Sequence, residues 1–235
     1  MNNHKFCFII CTNNDLLLEE ALHYISHLYL PEGYETDLIT INEASSMTTA
    51  YNEALSATDA KFKIYMHQDV FILNKYILTD LLKIFQSDTQ IGMIGMAGYD
   101  TVSPDGIMWN MKRIGSPYQR KPESPYPQLS QYSYSLDKDG YSLAAQIDGF
   151  FIATAFDLPW NTDLLQGFDF YDAFQCISFL KHGYKIAVPV QNHPWCMHDD
   201  GTILDLRQYN HYRHLFLQNC KDCLGKHYSE ILASG

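Results

Sequence analysis

The residues best equipped for chemistry stand together at the end of one short apolar run, Phe62-Lys63-Ile64-Tyr65-Met66-His67-Gln68-Asp69. Ile64 and Met66 are apolar and Tyr65 can pack, so the run reads as a strand covered on both faces. His67, Gln68 and Asp69 fall at its carboxyl end, which is where open α/β sheets bind ligands. A carboxylate there can hold a divalent cation, and such a cation can neutralise a diphosphate. On this segment alone a plainer role is equally compatible, with Asp69 capping a turn and His67 packed as an ordinary histidine.

Such residues need a scaffold, and the first hundred positions supply one by alternating strand and helix patterns. Strands are predicted at Lys5–Cys11, Glu35–Ile41, Phe62–Met66 and Ile91–Ala97. Helices are predicted at Glu19–Leu28, at Tyr76–Phe85, and from a cap at Ser45 or Ser46 through Leu55. In the last of these, Met47, Ala50, Tyr51, Ala54 and Leu55 recur at helical spacing. Thr12-Asn13-Asn14-Asp15 is a polar loop with helix-capping chemistry. The alternation implies an α/β fold with parallel strand pairing and right-handed crossovers.

Asp100 to Tyr141 breaks this pattern. It carries Pro104, Pro117, Pro122, Pro125 and Pro127 among many Tyr, Ser and Gln residues, with little periodicity. A loop of that length in a compact domain is commonly functional, and this one is expected to close over a ligand as a lid. Beyond it Ala144–Phe156 reads as a strand, about Asp169–His182 as a helix and Lys185–Val190 as a strand. A polar stretch with His193, His198 and Asp199 leads to a last helix near Asp205–Leu224, where Tyr209, Tyr212, Phe216, Cys220 and Cys223 share a face.

Composition narrows the partners. The chain of 235 residues is long enough for one large domain, and its 46% apolar content supports a sizeable core. Its net charge of −11, from 16 Lys and Arg against 27 Asp and Glu, argues against nucleic acid, whose phosphates need a basic face. A metal bridging the protein to an anionic ligand is compatible with that charge. Aromatic residues are abundant at 14%, with 17 tyrosines; most belong in the core, and some suit flat surfaces that meet sugars or bases. No apolar run approaches the ~20 residues of a membrane span. The beginning, Met1-Asn2-Asn3-His4-Lys5-Phe6, lacks the layout of a signal peptide, so a cytoplasmic location with reduced thiols is expected.

The order of landmarks resembles the family-2 glycosyltransferases, from about Phe6 to His198. Ile39-Thr40-Ile41-Asn42-Glu43-Ala44-Ser45 stands where that family has an apolar strand ending in two acids, Gly and Ser. Ala50-Tyr51-Asn52-Glu53-Ala54-Leu55 resembles its Ala-Arg-Asn-x-Gly-Leu, with Tyr51 in the Arg position. His67-Gln68-Asp69 takes the place of the Asp-x-Asp motif, with His67 for its first Asp. Gly167-Phe168-Asp169-Phe170-Tyr171-Asp172, followed by Gly183-Tyr184, resembles the segment in which a Glu-Asp pair precedes a helix, with Tyr171 for Glu. The changes read as the pattern of a subgroup with His-Gln-Asp at the strand end.

That resemblance implies a single GT-A domain over residues 1–235, a mostly parallel, Rossmann-like central sheet flanked by helices. Residues 1–98 would bind a nucleotide sugar, and residues 99–235, with the long loop at 100–142, the acceptor. The implied reaction is transfer of a hexosyl-type sugar, with inversion, from a nucleoside-diphosphate sugar (a UDP-sugar favoured) to a hydroxyl of a glycan, glycoprotein or lipid-linked acceptor. Asp69 and His198 would hold Mn²⁺ or Mg²⁺, since carboxylate, imidazole and phosphate oxygens suit such ions. Asp172 would be the general base, placed at a helix start where the dipole favours its ionised form; a plain helix cap is the structural alternative. Thr12, Asn13, Asn42 and Glu43 would line the base and ribose pocket, with Asn52 supporting that wall. His67 and Gln68 would approach the diphosphate or sugar, and Asp148 with Gly149 the sugar or acceptor, Gly allowing close backbone approach.

Other readings compete with this one. The altered Asp-x-Asp suits an inactive nucleotide- or sugar-binding module, which donor hydrolysis with Mn²⁺ would separate from an enzyme. A nucleotidyltransferase would carry a Gly-rich basic loop after the first strand, and Cys11-Thr12-Asn13-Asn14 is neither. His193, Cys196 and His198 with Cys220 and Cys223 hold zinc-capable ligands, but Cys220 and Cys223 fall on the apolar face of the last predicted helix, where such residues are more often core. Homodimerisation is compatible with the sequence.

Overall fold

Period-two alternation in the first strand builds both faces of the molecule. In the computed structural model, β1 (Asn2–Thr12) sends Phe6, Phe8 and Ile10 into one apolar layer and Cys7 and Ile9 into the other. The structure describes residues 1–115, 117–119, 128–129, 140–199 and 207–234. After β1 come α1 (Asp15–Ser26), β2 (Glu35–Asn42), α2 (Met47–Ala57), β3 (Ala60–His67), β4 (Val70–Ile72) and α3 (Ile77–Ser87). Then follow β5 (Ile91–Gly95), β6 (Ala97–Tyr99), β7 (Arg113–Gly115), β8 (Tyr118–Gln119), β9 (Gln128–Leu129), β10 (Tyr141–Ala144), β11 (Gln146–Ile147) and β12 (Phe151–Thr154). The chain continues through α4 (Tyr171–Lys181), β13 (Lys185–Pro189), β14 (Cys196–His198), α5 (Tyr209–Asn219) and α6 (Tyr228–Leu232).

The central sheet has seven strands in the order β10-β13-β5-β12-β3-β1-β2. β1, β2, β3, β5 and β13 point one way, while β12 and β10 run against their neighbours. The sheet is therefore mixed with a parallel majority, and it draws strands from both halves of the chain. Helices α1 and α3 cover the Phe6 face; α2, α4 and α5 cover the Cys7 face. Burial on both faces explains why β3 reads as an unbroken apolar run.

Several boundaries differ from the sequence reading. Helix α1 starts at Asp15, four residues early, because the Asn14 side-chain oxygen Oδ1 accepts from the amides of Leu16 and Leu17. For α2 the cap is Ser46, whose hydroxyl accepts from the Thr49 amide. The predicted strand Ala144–Phe156 is broken into β11, a turn at Asp148-Gly149 and β12, as an Asp-Gly pair favours. The helix predicted near Asp205–Leu224 is α5, which spans only Tyr209–Asn219 and is followed by α6; Cys220 and Cys223 are buried free thiols in the turn beyond α5. Residues 205 and 206 of that prediction lie outside the described residues.

The segment at 100–142 is not a plain loop where it is described. It holds a 3-10 turn at Met108–Asn110 and the strands β7, β8 and β9, of two or three residues each. Strands that short leave no periodicity to read and are held by partners remote in sequence, β7 by β6 and β8 by β14. The lid expected here falls largely on 116, 120–127 and 130–139, outside the described residues.

Beneath the carboxyl end of β3, Trp160 packs on Tyr51, Tyr65 and Tyr171, with ring centroids 4.9, 5.0 and 6.0 Å apart. Asn52 fixes it there. Its amide donates to the Trp160 carbonyl at 2.8 Å, and its oxygen accepts from the Trp160 amide at 2.9 Å. Asn52→Ala is expected to lose about 1–3 kcal/mol in urea unfolding, since both bonds vanish together. Asn52→Asp should lose nearly as much, because it can accept but not donate; unchanged midpoints for both would mean that the ring packing alone holds Trp160.

Candidate active site

Three segments remote in sequence meet at the carboxyl end of β3. The first is the loop after β1, tied down by Gln68. The Gln68 side-chain oxygen accepts from Thr12 Oγ1 at 2.8 Å and from the amides of Asn13 and Asn14 at 2.9 Å, and its amide donates to Asn13 Oδ1 at 2.7 Å. Gln68 is thus occupied in shaping the loop. A cavity of about 300 Å³ opens beside it, lined by Thr12, Asn13, Glu43, Met47, His67 and Asp69 among others. Glu43 adopts φ of 51° and is exposed at the rim. Asn42 is exposed at the end of β2 outside this lining, and Asn52 is engaged with Trp160 on another surface, so neither shares the cavity.

The second segment is β14. It pairs antiparallel with β4, matching His198 to Val70, and the Asp199 amide donates to the Asp69 carbonyl at 2.9 Å. This pairing sets His198 Nε2 3.5 Å from Asp69 Oδ1, with His67 Nδ1 3.9 Å from the same oxygen. Phe150 stacks on the His198 ring at 4.9 Å and holds its plane. Among the described residues, His67, Asp69 and His198 form the cluster able to hold a metal ion, with one ligand atom from each within 4.8 Å of the others. Burial raises the Asp69 carboxyl, but the two imidazoles outweigh it and hold it below the usual carboxylate range. Burial, helped by His198, pushes His67 down toward its neutral form. Asp69 Oδ1 is buried without a well-formed hydrogen bond, the state expected of an oxygen that serves a cation. The donor set of one carboxylate and two imidazoles fits Mn²⁺ or a similar ion.

The third segment joins the turn at 148–150 to the start of α4. The His67 amide donates to the Phe150 carbonyl at 3.0 Å, docking the turn on β3. Gly149 is bare because Tyr171 needs the space: a β-carbon there would collide with the Tyr171 hydroxyl and lie 3.1 Å from Asp172 Cβ. Tyr171 in turn shares a 2.6 Å hydrogen bond with His67 Nε2. Asp172 stands in the first turn of α4, buried, with Oδ2 accepting from the Gly149 amide at 2.9 Å and Oδ1 from the Ala173 amide at 2.7 Å. Burial and the nearby Asp148 carboxylate push its pKa up to about 7 against those two bonds. A carboxyl poised there can take a proton near neutrality. Asp148 itself pairs with Arg113 at 2.8 Å.

A second cavity, about 210 Å³, opens on the Asp172 side and shares His67 and Phe168 with the first. Trp109, Phe168 and Tyr209 line it, with Arg113 bonded to Asp148 at its edge, and the sequence reading gave none of these four a role in the site. Tyr171 was legible only as the residue before Asp172. Gly149, a turn glycine, was the one hint of close packing.

Residues 7–220 match the glycosyltransferase-like family. The chain belongs to that family. The glycosyltransferase shares its fold with solved nucleotide-sugar enzymes. S. aureus TarS 1–349 in complex with UDP matches at a TM-score of 0.57 and 12% identity, over 98% of this chain and 70% of that one. The mannosyltransferase PcManGT from Pyrobaculum calidifontis, solved with GDP-Man and Mn²⁺, matches at 0.58 and 14% identity, over 99% and 69%. At such identities the likeness establishes the GT-A fold and nothing finer. No curated protein matches the chain. No helix among the described residues is long and apolar enough to cross a membrane.

Substitution at Gly149 probes the packing within the third segment, which Tyr171 ties to His67 at the end of β3. Gly149→Ala should push the buried Tyr171 off its place and cost about 1–3 kcal/mol, as overpacking does. Urea denaturation reads this directly, and an unchanged midpoint would show that Tyr171 yields freely.

Proposed function

We propose that this glycosyltransferase moves a hexosyl unit from a nucleoside-diphosphate sugar, a UDP-sugar favoured, to an acceptor hydroxyl with inversion. The observation that carries this reading is the division of one site by His67. On one side lies a cavity with the Asp69–His198 pair at its edge, and on the other lies Asp172, a buried carboxyl with its pKa near neutrality. Neighbours of the same fold solved with UDP and with GDP-Man and Mn²⁺ support a nucleotide sugar as donor.

In this reading Thr12, Asn13 and Glu43 face the nucleotide, and Gln68 holds their loop in shape. Asp69 and His198, with His67 beside them, would hold Mn²⁺ or Mg²⁺. Bound there, the ion would supply positive charge against the leaving diphosphate. Asp172 takes the proton of the acceptor hydroxyl as its oxygen bonds to the anomeric carbon; the bond to the diphosphate breaks and its electron pair leaves with the diphosphate. One base and a single displacement give inversion. Two backbone amides fix the carboxylate and still leave lone pairs free for that proton.

Asp172→Asn should fold and bind donor while losing ~10²–10⁴ in turnover. The wild-type rate should rise with pH to a plateau above about 7, because the base acts ionised and burial has raised its pKa. The same shift makes Asp172 a stability term of the opposite sense: its contribution is complete below the ordinary Asp range and is lost as pH rises through about 7. Near-normal transfer by the Asn variant would return Asp172 to a capping role.

Asp69→Ala should abolish the gain in nucleoside-diphosphate affinity that Mn²⁺ gives, with the fold retained. Calorimetry with metal and with chelator measures it, and equal wild-type affinity in both would remove the metal from this reading.

A further inference from the structure

The cavity on the Asp172 side is lined by aromatic rings and by carboxyls. Trp109 is 51% exposed and Phe168 is 52% exposed, although apolar rings of that size are ordinarily drawn inside. Both line this same cavity. The Trp109 ring leans on Tyr209 at 5.1 Å and 33°, and Tyr209 packs on the buried Phe170 at 4.9 Å, so the wall is braced from the core. Asp148, Asp169 and Asp172 line the same cavity.

No Lys or Arg is among the described residues that line this space. Arg113, just behind it, is taken up by Asp148 at 2.8 Å and Gln119 at 3.1 Å. Among the described residues, a phosphate or carboxylate entering here would meet carboxyls with no Lys or Arg in the lining to offset them, which disfavours anionic ligands in a partly buried site. A sugar ring presents the complementary chemistry. Its C–H face suits a flat aromatic surface, and its hydroxyls donate to carboxylates.

We propose that the acceptor is an uncharged sugar ring, stacked on the Trp109–Tyr209 wall with one hydroxyl turned toward Asp172. This rests on the transferase reading above, and it deepens it by fixing the chemical class of the acceptor. Trp109 is then a specificity residue for the acceptor and takes no part in holding the donor, whose cavity it does not line.

The test is saturation-transfer NMR on the full chain with Mn²⁺ and UDP present, so that the donor side is filled. The probes are the methyl glycosides of glucose, galactose, mannose and N-acetylglucosamine, set against glucose 6-phosphate and glucuronic acid. At least one methyl glycoside should give a signal that falls fivefold or more in Trp109→Ala and largely returns in Trp109→Phe, which keeps a flat ring. The half-exposed position lets both variants fold, and UDP affinity, measured on the same samples, should stay within twofold of wild type. A stronger signal from either anionic probe overturns the inference. So does silence from all four glycosides, or a glycoside signal that Trp109→Ala leaves unchanged. Failure of UDP to bind the wild-type protein would count instead against the donor reading, which the glycoside signals do not score.

Discussion

A hydrogen bond of 2.6 Å between His67 Nε2 and the Tyr171 hydroxyl ties the two sides of the site into one unit. His67 ends β3, beside the metal-competent cluster. Tyr171 opens α4, one residue before the buried carboxyl of Asp172. Neither can move without the other, and the constraint reaches further. Tyr171 occupies the space that a side chain at position 149 would fill, and the amide of that same glycine holds Asp172. A cation beside Asp69 would favour the His67 tautomer that donates from Nε2 to the tyrosine oxygen, as partners of metal-ligating histidines generally do. The distance between the two halves of the chemistry is thus set by one phenol.

The electrostatics follow from the same packing. Half-buried Asp69 and buried Asp172 are carboxyls at strand or helix ends, yet they shift in opposite directions. Asp69 has two imidazoles at hand and stays ionised; Asp172 has backbone amides and the like charge of Asp148, so burial prevails. One carboxyl is suited to hold a cation and the other to exchange a proton. That division needs no difference in residue type, only a difference in neighbours.

The strongly acidic chain also fits this arrangement. Among the described residues at the site, positive charge would come chiefly from an ion held by the cluster at Asp69. Arg113 is tied to Asp148 and Gln119. The cavity on the Asp172 side combines aromatic rings and carboxyls among its described lining residues.

Local pattern in the sequence determined a good deal. The apolar alternation of Phe6 to Ile10 and the run Phe62–Met66 specify strands and the two layers of core, because burial on a sheet face repeats every second residue. The polar residues after those strands, and Asp172 at the start of a helix, were legible for the same reason: they interrupt or terminate a pattern. The α/β fold and the strand end carrying His67-Gln68-Asp69 could be read from one chain. Tertiary structure alone decided the rest. The pairing of β14 with β4, which brings His198 to Asp69, involves three-residue strands too short to show a period. The bond from His67 to Tyr171 spans 104 residues, and nothing local encodes which distant side chains will meet. Gln68 and Asn52, polar residues in suggestive places, proved to be ties for a loop and for Trp160, since a side chain's role depends on what the fold sets within its reach.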